Sequence, residues 1–218
     1  MSPEALAFDL YGTLVDVRSV ERACAEVTDE PAALSDLWRA TQLRHTWLLS
    51  LMGRYVDFAV VTASALEQAA GRLGLSLDDA ERRRLEAAWL DLEPFPEAAV
   101  ALARLAPRRL AVLSNGSPAM LEAALAAAGL RERLDAVLSA DEVRVYKPAP
   151  AVYALAERRL GVPRERILFV SANPWDAAGA KAFGLPVAWV ARAGGPPERT
   201  APAPDLVVPD LGALADAL

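Results

Sequence analysis

The segment Phe8-Asp9-Leu10-Tyr11-Gly12-Thr13-Leu14 governs the interpretation of the whole chain. It follows Ala5-Leu6-Ala7, a short apolar run that is typical of a buried strand, and Gly12 indicates a turn directly after it. A carboxylate at the end of an apolar strand costs free energy unless another group compensates its charge or the protein uses it. Asp9 is therefore either an acid held by backbone donors at a turn or a catalytic carboxylate, and this segment alone favours the turn.

Composition and charge exclude several classes of protein. The 218 residues are 54% hydrophobic and 24% charged, which is typical of a globular domain, and the net charge is -6. Charges of both signs are interspersed, so the sequence shows neither the basic stripe of a nucleic-acid-binding protein nor a polybasic membrane-binding segment. No apolar run approaches a membrane-spanning length and no secretory signal is visible. We therefore expect a soluble cytoplasmic protein that binds neither nucleic acid nor membrane.

Two residue counts narrow the possible chemistry. Cys24 is the only cysteine, which excludes an internal disulfide framework and a cysteine metal cluster. His45 is the only histidine, so a Ser-His-Asp hydrolase would have to be built on it. No G-x-S-x-G segment accompanies this histidine, and we expect His45 on a solvated helix face.

Short apolar segments alternate with helical segments in the second half of the chain, which predicts a parallel sheet covered on both faces. Residues from about 15 to 95 show helical patterns and no good strand. We predict an α/β protein with a parallel-sheet, Rossmann-like core and an inserted all-helical cap subdomain. The core is expected to comprise residues 1–14 and 96–218, and the cap residues 15–95.

Polar residues follow three of the expected strands, at Asp9, Ser114 and Ser171. In open parallel sheets, ligands bind beyond the carboxyl ends of the strands. We therefore expect a site at this edge of the sheet, between core and cap.

The order and spacing of four pieces of sequence resemble those of the haloacid dehalogenase superfamily, over nearly the whole chain. They are Asp9, Ser114-Asn115, Lys147 and the segment 171–176. In that superfamily the first aspartate is a covalent nucleophile. Its phosphatases carry further acids that hold magnesium, at positions occupied here by Tyr11 and Ala172. Since magnesium requires several oxygen ligands, we expect no metal and no cofactor.

Within the superfamily, the sequence is similar to the L-2-haloacid dehalogenase branch in the segments 8–13, 37–39, 51–58, 113–117, 145–148 and 173–176. The resemblance implies hydrolysis of short-chain L-2-haloalkanoic acids to 2-hydroxy acids. Asp9 would attack carbon 2 with displacement of halide and inversion, and water would then hydrolyse the aspartyl ester. The partners implied are a 2-halocarboxylate substrate, a halide product and, as in related dimers, a second copy of the chain.

The resemblance also implies roles for two cations. Lys147 would keep Asp9 ionised and orient it, although a lysine before a proline is often only a solvated loop residue. Arg39 would face the site and assist the departing halide, although arginines on helices are usually solvated.

Ser114 and Asn115 are implied to hold the substrate carboxylate and to lie near the halide, respectively. Both could instead simply turn the chain after a strand. Their position before the expected helix start at Ser117-Pro118 also suits an anion, because free backbone N–H groups point outward there.

The remaining polar candidates surround the nucleophile. Thr13 and Ser171 would hold Asp9 and the hydrolytic water, and Asp176 would pair with Lys147 and help to activate that water. Asn173 is equally suited to cap the helix that begins at Pro174. Tyr153 would order the lysine through its hydroxyl, although a core tyrosine would give the same pattern.

Four apolar or amphipathic residues are candidates for the pocket wall, with membership of the core as the alternative. They are Tyr11, Leu43, Phe58 and Trp175. Together they would exclude water while halide is displaced.

Three alternative functions remain open at this stage. A phosphatase of the same superfamily would need magnesium, and a hydrolase of azetidine-2-carboxylate would use the same aspartate. A non-catalytic binding module would be expected to have lost Asp9 or Lys147, and both are present.

Overall fold

Six parallel strands form the central sheet in the computed structural model, which describes residues 3–192, 194–195 and 198–218. The strand order in this part of the chain is β3-β2-β1-β4-β5-β6. The strands are β1 (Ala5–Phe8), β2 (Arg109–Ser114), β3 (Ala136–Ser139), β4 (Ile167–Ser171), β5 (Val187–Val190) and β6 (Leu206–Val208). The predicted α/β fold with a parallel sheet is confirmed.

Helices cover the sheet and fill the segment between its first two strands. Every regular element between β1 and β2 in sequence is helical, as predicted, and none of the described helices is long and apolar enough to cross a membrane. The short C-terminal helix is not among the predicted elements. The helices are α1 (Glu21–Cys24), α2 (Pro31–Leu51), α3 (Phe58–Arg72), α4 (Asp79–Ala88), α5 (Ala98–Leu105), α6 (Pro118–Ala127), α7 (Pro150–Leu160), α8 (Pro174–Phe183) and α9 (Leu211–Ala217).

Strand β1 occupies the middle of the sheet, and all four of its residues are buried. It pairs in parallel with β2 on one side and β4 on the other. Because the carboxyl ends of parallel strands meet at one edge, Asp9, Ser114 and Ser171 come together there. The backbone N–H of Asp9 donates to the Val170 carbonyl over 2.9 Å, which ties the chain after β1 to β4.

The chain leaves the sheet after β1 and returns to it before α5 through two crossing segments that pair with each other. Phe95 N–H donates to the Leu14 carbonyl over 3.0 Å, and Asp16 N–H donates to the Glu93 carbonyl over 2.7 Å. The two crossings therefore form one short ribbon beside the end of β1.

Helix α2 is the longest helical element described and begins with proline in its first turn, where no backbone N–H is needed. Trp38 is fully buried, and its Nε1 donates to the Thr62 carbonyl of α3 over 2.8 Å. The ring of Trp38 also packs edge-on against Trp89, with 5.6 Å between the ring centroids. These contacts hold α2 in a defined rotation, and Arg39 follows Trp38 directly.

The close approach of α7 and α8 depends on one glycine. A Cβ atom at Gly179 would lie 2.5 Å from the Pro148 Cβ and 2.5 Å from the Tyr153 hydroxyl. At Gly71 in α3, by contrast, an added Cβ would meet nothing within 4 Å.

We predict opposite effects of alanine at these two helical glycines. Gly179→Ala should lower the free energy of unfolding by about 1–3 kcal/mol because the new methyl group overpacks the α7–α8 contact. Gly71→Ala should raise it by about 0.5–1 kcal/mol because alanine loses less backbone entropy in a helix. Urea unfolding curves of the two variants and the parent protein test this. A Gly179→Ala protein as stable as the parent would contradict the close packing.

Candidate active site

Asp9 is a nearly buried carboxylate, 5% exposed, that accepts hydrogen bonds from three side chains. Lys147 Nζ lies 3.1 Å from Oδ1, and Thr13 Oγ1 and Asn173 Nδ2 lie 3.2 and 2.8 Å from Oδ2. The donors come from the turn after β1, the loop before α7 and the start of α8. The carboxylate is thereby oriented and shielded from water, two conditions that make a weak nucleophile reactive.

Lys147 lies between two carboxylates and is 1% exposed. Its Nζ is 3.1 Å from Asp9 Oδ1 and 2.8 Å from Asp176 Oδ2. Burial by itself would lower the pKa of Lys147, but the carboxylates of Asp176 and Asp9 outweigh burial and raise this pKa. The backbone N–H of Lys147 donates to Asn115 Oδ1 over 2.9 Å, so the lysine is also tied to the end of β2. The ammonium is therefore a fixed, fully charged partner of Asp9.

Asp176 is fully buried in the first turn of α8. Its Oδ2 accepts from Lys147 Nζ and, over 3.1 Å, from Ser171 Oγ, and its Oδ1 accepts from the Tyr153 hydroxyl over 2.8 Å. Burial raises the pKa of Asp176 to about 6, with Lys147 acting in the opposite direction. The Tyr153 hydroxyl thus reaches the lysine through Asp176 and not by direct contact.

Arg39 brings a second positive charge to the site from α2. Its Nη2 donates to the Tyr11 carbonyl over 3.2 Å and lies 3.4 Å from Asn173 Oδ1, and its guanidinium lies 5.8 Å from the Trp89 ring centroid. Burial lowers the pKa of Arg39 and the nearby Asp9 carboxylate partly offsets this effect, but an arginine remains charged at neutral pH. Among the described residues Arg39 forms no ion pair, so its charge is available to an anion.

Asn173 occupies the N-cap position of α8, but its side chain makes no capping hydrogen bond. The Nδ2 atom donates instead to Asp9 Oδ2 and, over 3.0 Å, to the Tyr11 carbonyl. Of the two roles that the sequence allowed for Asn173, the structure therefore favours contact with Asp9 over capping of α8.

Two buried polar atoms near the end of β2, one on Asn115 and one on Tyr11, lack a hydrogen-bond partner in the part of the chain that the structure describes. Ser114 is fully buried, and its Oγ lies 3.5 Å from the Gly116 N–H. Asn115 Nδ2 and the Tyr11 hydroxyl are buried and have no hydrogen-bond partner among the described residues. Burial raises the pKa of Tyr11, so its hydroxyl keeps its proton. Because buried donors are rarely left unsatisfied, these two indicate the place of a ligand.

The predicted wall residues do not all lie together. Phe58 is buried and stacks on Tyr11 with 6.0 Å between ring centroids, whereas Leu43 is half-buried on α2, one turn after Arg39. Trp175 packs edge-on against Trp47 at 5.6 Å, beside a mostly apolar cleft of about 490 Å³. The structure thus places Phe58 with Tyr11 and places Trp175 towards this neighbouring cleft.

Residues outside the sequence motifs also contribute to the site. Trp89 lies against Arg39, and Trp47 lies against Trp175. Trp47 follows Arg39 and Leu43 at intervals of four residues, a spacing that predicts a shared helix face, whereas no local pattern indicates Trp89. His45 lies on α2 with its Nε2 3.3 Å from Gln68 Oε1.

The described residues contain no group of three or more His, Cys, Asp or Glu side chains that could hold a metal ion. Tyr11 contributes its carbonyl to Arg39, and Ala172 contributes its N–H to Thr13 Oγ1 over 2.9 Å. The ammonium of Lys147 is the cation in contact with Asp9.

Comparison with known proteins connects this geometry to a family. Residues 3–184 match the haloacid dehalogenase-like hydrolases. The (S)-2-haloacid dehalogenase of Pseudomonas putida is 44% identical over 216 residues, covering 98% of this chain and 95% of that protein. The enzyme of the same name from Pseudomonas sp. strain YL is 47% identical over 216 residues, covering 98% and 93%.

A solved structure extends the similarity to three dimensions. The L-2-haloacid dehalogenase of Xanthobacter autotrophicus with chloropropionic acid covalently bound has a TM-score of 0.92 and 43% identity, covering 99% of this chain and 98% of that one. Both the sequence and the fold are therefore shared along the chain's whole length. The chain belongs to the haloacid dehalogenase-like hydrolases, in the L-2-haloacid dehalogenase branch.

Proposed function

We propose that this chain is an (S)-2-haloacid dehalogenase that hydrolyses short-chain L-2-haloalkanoic acids to 2-hydroxy acids without a metal ion. The observation that carries the proposal is the buried Asp9 carboxylate, held by Lys147, Thr13 and Asn173 beside the unpaired charge of Arg39. A negatively charged substrate is attracted to that arginine. Relatives with this name, and one with a covalently bound chloropropionic acid, support the same chemistry.

The first step forms a carbon–oxygen bond and breaks the carbon–halogen bond. An Asp9 oxygen attacks carbon 2 from the side opposite the halogen, and the bonding pair leaves with the halide, so the configuration is inverted. Arg39 and the free Nδ2 of Asn115 stabilise the departing halide. Ser114 and the Tyr11 hydroxyl hold the substrate carboxylate, and Phe58, stacked on Tyr11, supplies an apolar wall. Leu43, one turn after Arg39 on α2, lies on the cap side, and Trp175 lines the neighbouring cleft.

The second step hydrolyses the aspartyl ester. Water attacks the carbonyl carbon of the ester and gives one proton to Asp176. The bond between that carbon and the oxygen that attacked in the first step then breaks, and this oxygen takes the proton from Asp176 as the 2-hydroxy acid leaves. Asp9 is restored with one oxygen from water, and the second proton of that water passes to solvent. Ser171 and Tyr153 hold Asp176 ready for this proton transfer through their hydrogen bonds to its two oxygens.

Residues 15–95 act as a cap subdomain on the core formed by residues 1–14 and 96–218. Arg39 comes from α2, whereas Asp9, Lys147 and Asp176 come from the core. A site shared in this way can open to admit substrate and close to exclude water. We assign the protein to the cytoplasm on its charge and composition, without nucleic-acid or membrane partners.

The cap also supports the proposal of a homodimer. The end of α2, the loop that follows it and α3 expose an apolar patch formed by Leu48, Met52, Val56 and Val60, which line a shared groove. Their exposed fractions are 45%, 60%, 37% and 56%. A contiguous apolar patch of this kind is typical of an interaction surface, and a second copy of the chain can cover it symmetrically.

The central prediction concerns the nucleophile. Asp9→Asn should lower halide release from (S)-2-chloropropionate by roughly 10³-fold or more, because the asparagine amide replaces the attacking carboxylate oxygen. Asp36→Asn, which changes an exposed aspartate on α2, is the matched control and should leave the rate unchanged. In a single turnover of the parent enzyme in ¹⁸O-water, mass spectrometry should find the label on Asp9. Full activity of Asp9→Asn would contradict the mechanism.

The same assay separates the alternatives. Halide release should persist in a metal chelator, and magnesium should confer no hydrolysis of phosphate monoesters. Loss of halide release in the chelator, restored by magnesium, would contradict the proposed reaction.

We predict that ester hydrolysis slows with acid. Burial is the largest cause of the raised pKa of Asp176, which is about 6 while Asp9 is charged. Esterification removes the charge of Asp9, so the pKa of Asp176 in the ester lies below this value, and a protonated Asp176 cannot accept a proton from water. The rate of the second step should fall about tenfold per pH unit below the pKa of Asp176 in the ester. Rapid-quench mass spectrometry of the aspartyl ester measures this, and Asp176→Asn should accumulate the ester. A hydrolysis rate that stays constant down to the pH at which the protein unfolds would exclude Asp176 as the base.

We predict that the apolar patch on the cap holds the dimer together. Val60→Glu should convert a dimer into monomers because it places two charges in the interface. Val100→Glu, at a similarly exposed valine on α5, should remain dimeric. Sedimentation velocity measures both, and a monomeric parent protein at micromolar concentration would contradict the proposal.

A further inference from the structure

Arg192, in the loop after β5, contacts both crossings between the core and the helical segment. Its Nη2 donates to the Thr13 carbonyl over 2.9 Å, on the outgoing crossing. Its Nη1 lies 2.6 Å from Glu97 Oε1, and its guanidinium carbon lies 3.5 Å from the ring centroid of Phe95, both on the returning side. One side chain thus joins a residue next to the nucleophile to the segment that leads back into the core.

The residue that Arg192 contacts also contacts the nucleophile. Thr13 Oγ1 donates to Asp9 Oδ2 over 3.2 Å and accepts from the Ala172 N–H over 2.9 Å. The Thr13 N–H donates to the Leu10 carbonyl over 3.1 Å. The Thr13 carbonyl is the remaining polar group of this residue, and Arg192 binds it. Arg192 is therefore one residue away from the attacking carboxylate.

The contacts of Arg192 suit a positioning role. The side chain is only 18% exposed and that of Glu97 27%, so their ion pair is less screened than one on the open surface. A planar guanidinium can donate to one group, lie beside a carboxylate and stack on an aromatic ring at the same time, which a lysine ammonium cannot do. Arg192 donates to the Thr13 carbonyl, forms an ion pair with Glu97 without a hydrogen bond to its Oε1, and stacks on Phe95.

We propose that Arg192 is a positioning residue for dehalogenation: it holds the Thr13 backbone so that the Thr13 hydroxyl keeps Asp9 aligned for attack on carbon 2. Arg192 touches neither Asp9 nor the buried donors of the site, so it acts through Thr13 alone. This role rests on the proposed function and goes beyond it, because Arg192 lies outside every sequence motif of the site.

The role predicts a specific kinetic effect. A displacement of about 1 Å in an attacking group can lower a rate by about 100-fold. Arg192→Met should therefore lower the rate of ester formation by roughly 10- to 100-fold and leave KM almost unchanged. Arg192→Lys keeps the charge but loses the planar group that stacks on Phe95 while donating to Thr13, so its rate of ester formation should lie between those of Arg192→Met and the parent. Arg131→Met, which breaks the 2.7 Å ion pair with Glu122 on the core surface, is the matched control and should behave as the parent does.

A double-mutant cycle with Thr13→Val tests whether the effect passes through Thr13. Valine keeps the branched shape and the backbone carbonyl but lacks the hydroxyl, so Arg192→Met should cause no further loss of ester formation in that background. Rapid-quench mass spectrometry of the alkylated Asp9 measures the rate in all four proteins. An equal fall in both backgrounds, or no fall in either, would overturn the proposal.

The design separates this inference from the proposed function. Absence of halide release by the parent protein would refute the function itself. If the parent is active but the effects of Arg192→Met and Thr13→Val on ester formation simply add, only the role of Arg192 is refuted. Thermal unfolding followed by circular dichroism shows whether each variant is folded. If Arg192→Met is unfolded, the same cycle with Arg192→Lys decides the question by the same criterion.

Discussion

The site depends on one ammonium group placed between two buried carboxylates. Lys147 is 3.1 Å from Asp9 and 2.8 Å from Asp176, and the three side chains are almost inaccessible to water. Removal of one member of such a buried group typically costs about 3–5 kcal/mol, because an uncompensated charge remains. The cluster therefore constrains folding as well as forming the catalytic arrangement that we propose, and the loops at the end of the sheet must close around it.

The two carboxylates on either side of Lys147 have different surroundings and therefore suit different steps of the proposed reaction. Asp9 receives Lys147, Thr13 and Asn173 and lies beside Arg39, so it suits attack on carbon 2. Asp176 is farther inside the protein, and burial raises its pKa to about 6, which suits proton transfer near neutral pH. The same lysine thus pairs with two carboxylates whose surroundings differ. This difference is why we propose Asp9 as the nucleophile and Asp176 as the proton acceptor.

The sequence predicted more of the fold than of the site's detailed contacts. Strand β1, the parallel sheet and the helical insertion follow from apolar periodicity, which depends on local burial. Asn173 was ambiguous because a helix cap and a site ligand require the same residue at the same position. Tyr153 was expected to order Lys147 through its hydroxyl, and this hydroxyl donates to Asp176, which in turn binds Lys147. Side-chain direction depends on the packing of α7 against α8, which no local pattern records.

By itself, the sequence established the fold class, the superfamily and the residue types that could perform the reaction, because each depends on short-range pattern or on motif spacing. Tertiary structure alone revealed which of those side chains meet. It turned Asn173 towards Asp9, brought Trp89 under Arg39 and placed Arg192 against Thr13, 179 residues away in the chain. Such contacts arise when distant segments are packed at one sheet edge, and their distances are set by the whole fold and not by any neighbouring residue.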